Sequence, residues 1–135
     1  MKPVPIRVRS CLVAGAVLVY AGVASADPPV PTLSRGWQFS EQTGEALYAN
    51  ACQACHMSNG EGAVGAGRYP SLAKNINVGT SGYVLSVVLQ GYKAMPPIGH
   101  LMTDAQVAAV INYVRTHFGN NYTDVVQPSD VKDVR

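Results

Sequence analysis

A pair of cysteines followed at once by a histidine constrains this chain more than any other feature. Cys52 and Cys55 are separated by two residues, and His56 comes directly after the second cysteine. With three cysteines and three histidines in 135 residues, a C-x-x-C-H pattern arises by chance in roughly one such chain in a thousand. The pattern therefore indicates a chemical site to which the rest of the fold must conform.

Four kinds of site use two cysteines at this spacing, and three of them suit the sequence poorly. A structural zinc ion needs four ligands, but no second cysteine pair exists, and His100 and His117 lie far along the chain. A thioredoxin-like redox pair belongs in a strand–helix–strand unit, for which no alternating apolar pattern is present. A structural disulfide would close too small a loop to stabilise much. The fourth kind, covalent attachment of haem, fits: the two thiols bond the porphyrin, and the histidine ligates its iron.

Hydrophobic periodicity predicts three helices and no strand of useful length. The first helix follows Ser40 as N-cap and ends at the cysteine motif, and the second spans residues 82–90. The third begins with a capping box at Thr103–Gln106 and continues through Phe118 to Gly119. The result is an all-α chain.

Two long segments between these helices are rich in glycine and proline. Residues 56–72 hold four glycines and one proline, and residues 91–102 contain Pro96-Pro97, which cannot continue a helix. Loops longer than about 12 residues without structure of their own are uncommon in compact domains. We therefore expect both loops to wrap around a large cofactor that supplies the core.

The N-terminus has the pattern of a secretory signal peptide over residues 1–26. Lys2, Arg7 and Arg9 precede an uncharged stretch that ends in Ala24-Ser25-Ala26, a small-x-small cleavage site. Cleavage would place the protein in the periplasm. An uncleaved N-terminal anchor is the alternative, and only in that case do we expect membrane contact.

Charge and composition exclude several classes of function. Removing the three basic residues of the signal leaves seven basic against eight acidic residues, a net charge of −1. Charged residues make up only 13% of the chain, which argues against a nucleic-acid-binding role. The apolar fraction of 47% argues against a disordered chain.

A low-spin haem iron needs a sixth ligand on the face opposite His56. The candidates are Met95, Met102, His100 and His117. Met57 is adjacent to His56 and cannot reach around the ring. We favour Met95, because the prolines that follow it stiffen its loop and can hold a weak thioether ligand at a fixed distance. Met102, a histidine or an open position remain alternatives.

Residues 40–119 resemble the class I c-type cytochromes. The matching residues are the C-x-x-C-H motif, Tyr69-Pro70-Ser71-Leu72, Met95-Pro96 and the C-terminal helix. The resemblance implies a class I cytochrome c fold, in which three to five short helices wrap around one covalently bound haem c. It divides the chain into a signal peptide (1–26), an extended arm (27–39), a cytochrome domain (40–119) and a C-terminal tail (120–135), in which a last helical turn starts at Ser129.

The resemblance also implies roles for individual residues. The carbonyl of Pro70 accepts a hydrogen bond from the ligating histidine, and Leu72 packs on the ring. The first and last helices cross where Gly44 and Tyr48 meet Tyr113 and Val114. From its place in the loop, Arg68 is a candidate donor to a haem propionate.

A narrower resemblance concerns function. The resemblance is to cytochrome subunits that serve periplasmic dehydrogenases, and it lies in the segments 60–62, 67–73, 94–97, 111–120 and 128–135. It implies an electron carrier rather than an enzyme. Its expected donor is a flavin- or quinone-dependent dehydrogenase, and its acceptor is an oxidase or another cytochrome. The alternative is a catalytic or ligand-binding haem, such as a peroxidase or gas sensor, which requires an open sixth position.

Overall fold

The computed structural model describes residues 38–65 and 67–135, and this part of the chain is helical. Its elements in order are α1 (Gly44–Leu47), a π-helical segment (Tyr48–Cys52), α2 (Gln53–His56), a 3-10 helix (Ile76–Gly79), α3 (Ser81–Gln90), a second 3-10 helix (Ile98–Leu101), α4 (Asp104–Thr116) and α5 (Pro128–Val134). Within the described ranges no β-strand occurs, and there are only two isolated β-bridges. The predicted all-α architecture is confirmed. The predicted signal peptide and all but the last two residues of the predicted arm lie outside the described residues.

The first helical stretch begins later than predicted and changes type along its length. Its N-cap is Thr43 and not Ser40, because the Thr43 hydroxyl accepts a hydrogen bond from the Ala46 backbone N–H at 3.2 Å. After one α-helical turn the chain widens into a π-helix and returns to α-helix at Gln53. Single π-helical turns inside α-helices often occur at functional sites. This one ends at Cys52.

The first helical stretch crosses α4 with almost no space between the two backbones. A Cβ atom on Gly44 would lie 2.3 Å from the carbonyl oxygen of Ala109 and 2.6 Å from the Cβ of Tyr113. One turn later, the rings of Tyr48 and Tyr113 pack with centroids 5.6 Å apart. Only glycine permits this approach, so the predicted crossing at Gly44 and Tyr48 is present.

The capping box of α4 is confirmed, but the helix ends earlier than predicted. Thr103 and Gln106 exchange both side-chain hydrogen bonds. The helix ends at Thr116, and Phe118 lies beyond it with φ +57°. The carboxamide of Asn120 donates to the free Val114 carbonyl at 2.9 Å, which satisfies the helix end from outside. Phe118 therefore reaches the core from a loop, packing 4.8 Å from the ring of Tyr48.

The C-terminal tail is packed onto the rest of the fold. Its helix α5 starts at Pro128, one residue before the predicted Ser129, because proline is favoured in the first helical turn. Val131 is fully buried, and Arg135 donates to the Met102 carbonyl at 2.9 Å. The tail thus covers α4 and the loop before it. Among the described helices, none is both long and apolar enough to cross a bilayer.

Candidate functional site

A cavity of about 850 Å³ opens between the cysteine motif, α3, α4 and the two long loops. This volume lies within the range of about 300–1,000 Å³ that is typical of cofactor sites. Its walls are mainly apolar. They include Val84, Val87 and Val88 from α3, and Val110, Ile111 and Val114 from α4. A flat apolar cofactor would complete the core of this small domain.

Both cysteines and the histidine of the motif line this cavity. The π-helical segment carries Cys52, whereas Cys55 and His56 lie on α2. Neither cysteine forms a disulfide within the described residues. Burial, with a smaller contribution from the neighbouring Cys55, raises the pKa of Cys52 to about 12. The two thiols are therefore placed for covalent attachment of a haem.

The imidazole of His56 is held in the form that binds a metal. Its ring is 7% exposed, and Nδ1 lies 3.0 Å from the carbonyl oxygen of Pro70. Because a carbonyl can only accept, the proton is on Nδ1, and the lone pair of Nε2 is free for iron. Burial lowers the pKa of His56, opposed in part by the hydrogen bond to Pro70, so the ring is neutral at pH 7.

The hydroxyl of Tyr48 holds the backbone at the end of the motif, a contact that the sequence analysis missed. It donates to the carbonyl of Met57 at 2.7 Å, and the carbonyl of His56 is 3.4 Å away. Burial is the main reason that the pKa of Tyr48 rises to about 12, so the hydroxyl remains a donor. The sequence does show a tyrosine four residues before the first cysteine, but spacing alone does not identify the carbonyl to which its hydroxyl donates.

The loop after the motif folds back on itself and presents the Pro70 carbonyl. Gly62 has φ +78°, and a Cβ there would lie 2.3 Å from the Tyr69 carbonyl oxygen. The carbonyl of Gly60 accepts hydrogen bonds from the backbone N–H groups of Leu72 and Ala73, at 2.7 and 3.0 Å. These contacts hold residues 57–65 and 67–73 in place, and residues 67–72 form a wall of the cavity.

Two further residues of this wall differ in their surroundings. Leu72 is half-buried and lines the cavity, with its carbonyl fixed by the Asn120 carboxamide at 2.8 Å. Arg68 also lines the cavity, but it is exposed and no partner fixes its guanidinium among the described residues. The role of Asn120 was not predicted, because its contact with Leu72 joins residues 48 positions apart.

Met95 is presented by a tight turn. The backbone N–H groups of Tyr92 and Met95 each donate to the carbonyl of the other residue at 3.0 Å. Gly91 begins the turn with φ +75°, where a Cβ would lie 2.8 Å from the Met95 carbonyl oxygen. The turn positions Met95 on the cavity.

The other candidates for the sixth ligand divide into two groups. Met102 also lines the cavity and is 5% exposed. His117 is exposed at the end of α4, where its ring stacks on Tyr113 at 4.0 Å. His100 is exposed and borders a separate shallow groove beside Gln38 and Gln106. Of the four candidates, the two methionines reach the cavity and the two histidines do not.

A zinc site has no support in the described ranges 38–65 and 67–135. No three side chains of His, Cys, Asp or Glu converge there, whereas structural zinc requires four ligands. The two thiols, the neutral buried imidazole and the apolar walls instead fit a covalently bound haem.

Comparison with known proteins agrees with this chemistry. Residues 40–114 match the family described as cytochrome c oxidase, cbb3-type, subunit III. Over 107 residues the chain is 35% identical to the fructose dehydrogenase cytochrome subunit of Gluconobacter japonicus, covering 68% of this chain and 22% of that protein. It is 34% identical to the gluconate 2-dehydrogenase cytochrome c subunit of Pantoea cypripedii, with coverage of 70% and 24%.

A third relative extends the comparison to quinone enzymes. The alcohol dehydrogenase (quinone) cytochrome c subunit of Komagataeibacter europaeus is 28% identical over 134 residues, covering 80% of this chain and 28% of that protein. The chain thus spans less than a third of the length of each relative. Fold, attachment motif and family match agree, and the chain belongs to the c-type cytochrome family described as cytochrome c oxidase, cbb3-type, subunit III, with haem c as its cofactor.

Proposed function

We propose that this protein is a periplasmic monohaem carrier that takes single electrons from a flavin- or quinone-dependent dehydrogenase and passes them to an oxidase or another cytochrome. The observation that carries the proposal is that Cys52, Cys55, His56 and Met95 all line the same apolar cavity. Bound haem supplies the one-electron ferric–ferrous couple. The polypeptide binds the ring, excludes water and sets which oxidation state is favoured.

The iron ligands in this proposal are His56 and Met95. The Pro70 carbonyl fixes the proton of His56 on Nδ1 at 3.0 Å and leaves Nε2 as the ligand atom. Met95 is favoured over Met102, because a turn closed by two hydrogen bonds presents it, whereas Met102 is packed immediately before the N-cap of α4. A thioether ligand and apolar walls both favour the reduced state and raise the reduction potential.

Contact with a partner is proposed at the rim of the cavity. Three exposed tyrosines lie there, namely Tyr69, Tyr83 and Tyr92. Tyrosine is enriched in protein interfaces, and electron-transfer complexes use small interfaces of less than about 1,200 Å². The relatives are named as cytochrome subunits of fructose, gluconate and alcohol dehydrogenases, which supports a dehydrogenase as donor. We also propose that Arg68, on the same rim, donates to a haem propionate.

Export and domain limits belong to the same proposal. Residues 1–26 are removed as a signal peptide, the arm ends near residue 39, and residues 40–119 hold the haem, followed by the tail. Sequencing the N-terminus of the protein isolated from the periplasm should start at Asp27. Recovery of an uncleaved chain in the membrane fraction would support the anchor alternative.

The ligand assignment is tested by comparing Met95→Ala with Met102→Ala in haem-loaded protein. The parent and Met102→Ala should bind carbon monoxide slowly or not at all when reduced, since the iron is coordinated on both faces. Met95→Ala should bind it rapidly and have a lower reduction potential. Rapid binding by the parent would contradict the carrier and favour a ligand-binding haem. Rapid binding by Met102→Ala alone would reassign the ligand.

The partner is tested by rapid mixing. Oxidised protein is mixed with a purified flavin- or quinone-dependent dehydrogenase and its substrate, and haem reduction is followed by absorbance. The proposal expects reduction that saturates with cytochrome concentration and requires the substrate. No reduction by either class of dehydrogenase would refute the proposed donor.

A further inference from the structure

Arg115 of α4 is a fully buried charge outside the site described above. Its side chain is 0% exposed, and burying a charge is costly unless it is paired and hydrogen-bonded. Its Nε donates to the Val78 carbonyl at 3.1 Å, and its Nη2 donates to the Gly79 carbonyl at 3.1 Å. It also donates to the backbone carbonyl and the carboxylate of Asp124, the latter at 2.6 Å, and it lies 5.9 Å from the centroid of the Tyr122 ring.

One of the two carbonyls that Arg115 holds, that of Val78, belongs to a residue that lines the haem cavity. Val78 is buried. The neighbouring Asn77 also lines the cavity. On α4, Val114 next to Arg115 lines the same cavity. The guanidinium thus lies directly behind the wall, bonded to the backbone of a residue whose side chain faces the cofactor space.

The ion pair is asymmetric in its exposure to water. The Asp124 side chain is 68% exposed, whereas the Arg115 side chain is 0% exposed. Water therefore screens the carboxylate far more strongly than it screens the guanidinium. Toward the cavity the guanidinium of Arg115 therefore presents a positive potential, which the carboxylate of Asp124 cancels only in part.

We propose that Arg115 is a positioning residue that raises the reduction potential of the bound haem, and that Asp124 limits the size of this effect. The inference rests on the proposed function, in which the haem in this cavity cycles between oxidation states. A positive charge held in a poorly screened place stabilises the added electron. The hydrogen bonds of the guanidinium keep the wall and the charge at a fixed separation.

The test is the midpoint potential of haem-loaded Asp124→Asn, with Asp133→Asn as matched control. Asparagine keeps a carbonyl oxygen that can accept from Arg115, so the variant removes charge with little change in shape. Asp133 is an exposed carboxylate on α5 that makes no ion pair among the described residues, and its replacement removes the same formal charge. Both potentials are measured at low and high ionic strength, because salt screens the effect of a distant surface charge.

Asp124→Asn should raise the potential by more than Asp133→Asn does, and the difference should persist at high salt. Equal shifts in the two variants, or a lower potential in Asp124→Asn, would overturn the inference. In Arg115→Gln, we expect a lower potential and a lower melting temperature. Because that variant also loses the hydrogen bonds to the Val78 and Gly79 carbonyls, the decision rests on Asp124→Asn.

Failure of this inference differs from failure of the proposed function. A parent protein that binds haem and cycles reversibly, with equal shifts in both aspartate variants, overturns the role of Arg115 alone. A parent that retains no haem, or whose haem does not cycle, overturns the carrier function and with it the inference.

Discussion

Replacing Gly44 by alanine should destabilise the whole domain, because the added methyl group has no space at the helix crossing. Its Cβ would lie 2.3 Å from the Ala109 carbonyl oxygen and 2.6 Å from the Cβ of Tyr113. Both are atoms that cannot rotate away, so the helices must separate. Overpacking of this kind costs about 3 kcal/mol at the upper end of its usual range. The higher helix propensity of alanine relative to glycine offsets about 1 kcal/mol of this cost.

The net cost is about 2 kcal/mol, which corresponds to a melting temperature lower by roughly 8–16 °C for a domain of this size. Thermal unfolding of the haem-loaded protein followed by circular dichroism measures it. Gly82→Ala is the matched control, since Gly82 lies in α3 and its Cβ would have no atom within 4 Å. That control should melt at the parent temperature or slightly above. A Gly44→Ala protein that melts within about 2 °C of the parent would refute the close crossing.

Three further changes address the site and its surroundings. Gly91→Ala places a side chain at φ +75° and within 2.8 Å of the Met95 carbonyl oxygen, so we expect a loss of about 2 kcal/mol in urea unfolding and weaker thioether ligation in the absorption spectrum. Tyr48→Phe removes the hydroxyl that donates to the Met57 carbonyl at 2.7 Å, and the free energy of unfolding should fall by about 1 kcal/mol. The hydrogen bond from Arg115 is the main reason that the pKa of Asp124 lies below its usual value of 3.8. The ionised carboxylate therefore stabilises the fold at pH values above 3.8, and this stabilisation is lost as the pH falls through the lower pKa of the folded state. The melting temperature of Asp124→Asn should therefore fall less than that of the parent on acidification.

Each of these variants has a counterpart elsewhere on the chain. Gly65→Ala adds a methyl group with no atom within 4 Å, and Tyr83→Phe removes an exposed hydroxyl. Asp133→Asn is again the control for the aspartate variant. If Gly91→Ala is no less stable than Gly65→Ala, the turn does not need its glycine. Equal stabilities of the two tyrosine variants would show that the buried hydrogen bond contributes nothing, and parallel acid profiles of the two aspartate variants would contradict the pH prediction.

Interactions between near neighbours in the chain were accessible from the sequence. The motif from Cys52 to His56, the capping box at Thr103–Gln106 and the prolines that stiffen the loop of Met95 each depend on residues within about five positions of one another. Such patterns carry their own geometry, because helical and turn spacing determines which groups meet. They were enough to predict an all-α chain and a covalent haem, whereas the crossing at Gly44 was expected from the family resemblance.

Boundaries and the π-helical segment were less accessible. The π-helical segment Tyr48–Cys52 is a single turn, which is too short for apolar spacing to distinguish it from α-helix. The end of α4 was placed too late for a related reason. Phe118 continues the apolar stripe, but the carboxamide of Asn120 takes the Val114 carbonyl and ends the helix before it.

Contacts across long stretches of chain were decided by the tertiary structure alone. Arg115 bonds to Val78, 37 positions away, and Asn120 bonds to Leu72, 48 positions away. A polar side chain can satisfy any unpaired carbonyl that folding brings near, so its partner depends on the path of the whole backbone. The path of the whole backbone also decides that the two candidate methionines reach the cavity and the two candidate histidines do not. Residue type defined the candidates, and only the packed fold shows which side chains reach the haem cavity.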